Sequence, residues 1–167
     1  SRSRAYSQSP SRFFGTPSRL SPWTPFSRIT SRSDLAVAAA RDALDMSGVA
    51  NEDIDLLIVA TVTPDYRLPS TACIVQQKLG LPQAAAFDIV AACAGFINGL
   101  SIARSYIESG LYENIMVIGV EKLSSFTNYE DRNTCVLFGD GAGAAILGPS
   151  DNGTGVLSTF VRSDGSL

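Results

Sequence analysis

Asp88-Ile89-Val90-Ala91-Ala92-Cys93-Ala94-Gly95-Phe96-Ile97-Asn98-Gly99-Leu100 joins an apolar, strand-like run to a helix-like one, and a single cysteine stands at the junction. A thiol at the start of a helix faces backbone N–H groups that lack intrahelical acceptors, together with the positive end of the macrodipole; both favour a thiolate. The neighbours Ala91, Ala92, Ala94 and Gly95 are small, so backbone can approach closely and the sulfur can sit in a narrow slot suited to a nucleophile. On composition alone the opposite reading is commoner, because a free cysteine among Ala and Gly is usually a small buried hydrophobe. The rest of the chain has to decide between them.

Working outward, the strand-like half of the junction is one of several. Residues 56–60 (Leu-Leu-Ile-Val-Ala) and 114–120 are short, nearly continuous apolar runs, the pattern of buried strands, and residues 84–89 supply another strand. Between them lie helical stretches. Ser33 is positioned to cap a helix over 34–46 that stops at Gly48, Ser70 one that runs through Leu79 to Gly80, and residues 95–109 form a third that ends at Gly110. Residues 63–69 read as a loop, and 156–161 as a final strand. Strands alternating with helices of this length predict an α/β sheet covered on both faces.

With 167 residues, 45% hydrophobic content and a formal net charge of −3, the chain is long enough for one ordinary core. Its apolar runs are broken by Gly, Asp or Glu too often for a membrane span. Cys73, Cys93 and Cys135 are odd in number and far apart, and there is no His, which argues against a disulfide framework, against zinc, and for a reducing compartment such as the cytoplasm.

The first 33 residues are of another kind. They hold ten Ser, four Pro, six Arg and no acid, without strand or helix periodicity, whereas the remainder holds all sixteen acids. Residues 1–33 are therefore expected to be a disordered leader, either non-native or transit-like, in which case a plastid is the destination, and 34–167 to be the folded domain. A nucleic-acid-binding tail is a third reading, but six arginines without a folded face are a non-specific signal.

Gly139-Asp140-Gly141-Ala142-Gly143-Ala144 suggests a dinucleotide loop, yet its glycines fall at G-x-G-x-G and an apolar strand follows instead of a helix. The local expectation is that these glycines let the strand pass close to another backbone. Arg132, after Glu130 and Asp131, reads by default as a solvated loop cation, although a guanidinium also suits stacking on a base.

Taken together, the stretch 88–100 with its Ala-Ala-Cys-Ala-Gly-Phe core, Asp131-Arg132-Asn133-Thr134, the segment 138–145 and Arg162-Ser163-Asp164-Gly165-Ser166 resemble the beta-ketoacyl-acyl carrier protein synthase III family over residues 33–167. The resemblance implies the N-terminal half of a thiolase-like fold, with a mixed sheet of the five-stranded type whose first strand is missing here. It also implies an acyltransferase that initiates type II fatty-acid synthesis. In that reading Cys93 takes a short acyl group from acyl-CoA and presents it to malonyl-acyl carrier protein for decarboxylating condensation. The Cys93 N–H is one oxyanion donor, Arg132 stacks on the CoA adenine, and Leu68 reaches across a homodimer interface to close the acyl pocket where the family often has Phe. No tightly bound cofactor is implied.

The family's decarboxylating His and Asn, its second oxyanion glycine and its adenine-stacking Trp have no match here. The expectation is a truncated half that cannot complete turnover. Two other readings compete: a synthase III-like enzyme of a secondary, polyketide-type pathway, and a catalytically inert interaction fragment.

Overall fold

The computed structural model describes residues 11–14 and 31–166. Most of the 1–33 leader therefore lies outside the described residues. The elements are β1 (Ser11–Phe14), α1 (Arg32–Ser47), β2 (Leu56–Ala60), α2 (Thr71–Leu79), β3 (Ala85–Ile89), α3 (Gly95–Glu108), β4 (Ile115–Lys122) and β5 (Asp140–Pro149). They form one mixed sheet in the order β1-β5-β4-β2-β3. β2 lies parallel to both β3 and β4, and β5 runs antiparallel to β4.

The central position of β2 accounts for its composition. Leu57, Ile58 and Val59 have no exposed surface, because helices cover both faces of the sheet. On one side α1 and α2 pack Ala36, Ala40, Leu44 and Val75 against Leu57, Val59, Met116 and Ile118. On the other, Ala103 and Ile107 of α3 meet Ile58, Ile115, Val117 and Leu147. Each fully buried Leu, Ile or Val side chain contributes about 1.5–3 kcal/mol, so this two-sided core is the main source of stability.

Two helix and strand expectations are corrected. The N-cap of α1 is Ser31, whose hydroxyl accepts the Asp34 N–H at 3.1 Å, and not Ser33. The helix starts earlier than its periodicity suggests because the Asp65 carboxylate also accepts the Arg32 and Ser33 N–H groups, at 2.8 and 3.0 Å. Residues 156–161 make no strand. Both edges of β5 are already taken by β1 and β4, and Leu157 and Phe160 are exposed. Within the stretch read as a leader, Ser11–Phe14 pairs antiparallel with β5, Phe14 opposite Ile146. Four residues are too few to display a period, and this pairing is driven by backbone groups that would otherwise stand open on the β5 edge.

Candidate active site

The chain leaves β3 at Ile89 and turns sharply. Ala92 has φ 46°, in the left-handed region that non-glycine residues seldom occupy, and it opens a short 3-10 turn, Ala92–Ala94, from which α3 departs at Gly95. A strained residue beside a nucleophile candidate is where such backbone cost is commonly stored. Cys93 thus sits in the turn that precedes α3, slightly ahead of the first helical turn where the sequence puts it. The Ala94 N–H donates to Ala91 O at 3.1 Å and the Gly95 N–H to Ala92 O, so neither bond of the turn uses the Cys93 N–H.

Glycines explain how close α3 comes to the sheet. A Cβ on Gly95 would stand 2.9 Å from Ala60 Cβ, and one on Gly99 2.7 Å from Val117 Cγ1. The helix start is therefore pressed onto β2 and β4 by contacts only Gly permits. It is also the bare one. α1 has Ser31 and Asp65 at its N-terminus, and α2 has Ser70 plus the Asp88 carboxylate on the Thr71 and Ala72 N–H groups at 2.8 and 2.7 Å, whereas no side chain caps α3. The positive end of its dipole stays open toward the thiol.

Cys93 is exposed and lines a cavity of about 430 Å³ together with Ala60, Phe96, Gly119 and Glu121. The opposite wall is the start of β5, Asp140 to Gly143. Here the structure corrects the glycine expectation: a Cβ on Gly139, Gly141 or Gly143 would meet nothing within 4 Å. Their small size keeps the cavity wide instead of admitting a neighbouring backbone. Burial raises the Asp140 carboxyl, but the Ser124 N–H (2.8 Å) and hydroxyl (2.7 Å), with Lys122 and Arg32 nearby, outweigh it and hold the group below the usual range.

Arg132 and Leu68 are not among the residues that line this cavity. Arg132 is exposed on a turn stapled by Asp131, whose carboxylate accepts the Thr134 hydroxyl (2.6 Å) and the Asn133 N–H (3.0 Å). Leu68 is 87% exposed and precedes a cis bond to Pro69. Of the three residues singled out from sequence, only Cys93 faces the cavity.

Comparison with known proteins matches residues 87–165 to the model of the 3-oxoacyl-[acyl-carrier-protein (ACP)] synthase III family. The beta-ketoacyl-[acyl-carrier-protein] synthase III of Caldanaerobacter subterraneus is 55% identical over 134 residues, which cover 80% of this chain and 40% of the relative. That of Clostridioides difficile is 56% identical over 133 residues, with the same shares. The chain belongs to the beta-ketoacyl-acyl carrier protein synthase III family.

It spans about 40% of the length of these synthase III relatives. Among solved structures, the synthase III of Aquifex aeolicus aligns with a TM-score of 0.73 at 50% identity, covering 75% of this chain and 41% of that one. The priming beta-ketosynthase of the R1128 polyketide pathway aligns at 0.72 with 40% identity, covering 74% and 37%. The fold is accordingly thiolase-like. One feature of this synthase III segment is missed by motif reading: Glu121 joins Cys93 at the cavity. The available signal is an acid that directly follows the mostly buried strand run Ile115–Val120, where an apolar side chain would be ordinary.

Proposed function

We propose that this chain carries the acyl-accepting site of a synthase III. The Cys93 sulfur attacks the carbonyl of a short acyl-CoA thioester. The new S–C bond forms as the CoA sulfur leaves as a thiol, and the Cys93 N–H and the uncapped start of α3 face the developing oxyanion. The acyl group then passes to malonyl-acyl carrier protein, where loss of carbon dioxide supplies the carbanion for the new carbon–carbon bond. Arg132 stacks on the CoA adenine, and Leu68 closes the acyl pocket across a homodimer. The three free cysteines suit a reducing compartment such as the cytoplasm.

The observation that carries this reading is the exposed thiol between a left-handed Ala92 and a helix start without a cap, at a cavity large enough for a short acyl chain. The 167 residues contain no His, so an imidazole-assisted decarboxylation draws that group from outside them. The similarity to the R1128 priming ketosynthase supports a second reading, a starter-unit enzyme of a polyketide-type pathway with the same Cys93 chemistry. Incubation with acetyl-CoA followed by peptide mass spectrometry tests the site: an acetyl group on Cys93 is expected, and its absence, or equal labelling of Cys73 and Cys135, refutes it. Rates across an acyl-CoA series separate the two pathways.

A further inference from the structure

Glu121, near the end of β4, lines the Cys93 cavity but turns its carboxylate onto the segment after β2. Oε1 accepts the Val62 N–H at 2.8 Å, and Oε2 accepts the Thr63 hydroxyl at 2.7 Å with the Thr61 hydroxyl at 3.5 Å. The Thr63 hydroxyl in turn accepts the Lys122 N–H (3.0 Å), and the Thr61 hydroxyl accepts the Thr63 N–H (3.0 Å). Both threonines are buried, so their protons have no water to turn to. Each accepts from the backbone; the Thr63 hydroxyl proton is left to Oε2, while the Thr61 hydroxyl lies 3.5 Å from both Oε2 and the Thr63 hydroxyl and can donate to either. The network therefore calls for a group with two acceptor oxygens and no donor.

The tethered segment opens the loop that bears Leu68. Its other anchors are also carboxylates: Asp65 on the start of α1, and Asp88, on the strand that leads to Cys93, at the start of α2. An exposed apolar residue is thus presented on a loop held at both ends.

We infer that Glu121 is a positioning residue, whose carboxylate fixes the Ala60–Thr63 corner beside Cys93 and thereby sets the acyl chain length the cavity favours. This rests on Cys93 being the acyl acceptor. A glutamine in its place keeps the size but turns a donor toward either the Val62 N–H or the Thr63 hydroxyl, and the corner loosens.

The test uses the full chain and three probes of Cys93: acetyl-CoA, hexanoyl-CoA, and iodoacetamide as a reagent blind to the acyl site. Hydrogen exchange at residues 62–68 is read alongside. In Glu121→Gln, the hexanoyl-to-acetyl rate ratio is expected to rise about tenfold, as for loss of a hydrogen bond to a charged group. Exchange at Val62 is expected to speed up, with iodoacetamide labelling unchanged. Thr63→Ser keeps the hydroxyl and should keep the wild-type ratio. Should Glu121→Gln fail to fold, Thr63→Val, which removes one donor, takes its place with the same expected rise. An unchanged ratio, or an equal fall with all three probes, overturns the inference while leaving Cys93 as acceptor. A wild-type chain that iodoacetamide labels but neither thioester acylates overturns the acceptor reading itself, and the inference with it.

Discussion

Cys93 is exposed and packs against little, so removing its sulfur should separate chemistry from folding. Cys93→Ala is expected to abolish the acyl adduct and to shift stability by less than about 0.5 kcal/mol, checked by mass spectrometry and by denaturant melting. The glycines make a sharper contrast. Gly99→Ala places a Cβ 2.7 Å from Val117 Cγ1 and should cost about 1–3 kcal/mol through overpacking. Gly143→Ala meets open space. It should be stability-neutral or gain up to about 1 kcal/mol through the unfolded chain, while narrowing the Cys93 cavity. If the two variants melt alike, the close approach of α3 to β4 is not what Gly99 provides. At this scale Cys93 and its small neighbours were legible in the sequence. The roles of the two glycines were not, because a glycine's use depends on what lies across from it.

Helix ends carry the next layer of argument. Asp65 holds the start of α1, and although burial raises its carboxyl, the bonds from Ser33 and Arg32 prevail and keep it below the ordinary 3.8. Asp34 is held low as well, chiefly by its bond from Lys78. A carboxyl whose folded value is depressed adds stability above its unfolded value, and that stability is lost as pH falls through the folded one. The chain should therefore lose stability as pH drops below about 4. Asp65→Asn should flatten this acid limb in pH-dependent melts, and an acid limb identical to wild type would count against it. On α2, Ser70→Ala removes the hydroxyl that accepts the Cys73 N–H and should cost about 1 kcal/mol. Ser70 and Gly80 were legible because caps are local, separated from their helix by one turn at most. Asp65 and Asp88 were not, since each caps a helix of which it is no part.

Across the whole molecule, the sheet ends at β3, whose outer edge has no strand partner among the described residues. Val90, Val136, Leu137 and Phe160 are also exposed. Open strand edges and apolar surface of this kind drive association. Size-exclusion chromatography is expected to show concentration-dependent self-association, and a single monomer peak across a hundredfold dilution would dismiss the expectation. The order of strands and helices, the buried β2, and the companion motifs that pointed to a thiolase-like synthase III were determined by sequence alone, because burial on two faces and helix stop signals are written in consecutive residues. Four matters were decided only by tertiary structure: that 156–161 stays unpaired, that Ser11–Phe14 joins the sheet, that Gly139–Gly143 keeps a cavity open, and that Glu121 reaches Val62 and Thr63 beside Cys93. Each depends on which backbone edge or side chain arrives from a distant part of the chain, and no local pattern of charge or hydropathy records that arrival.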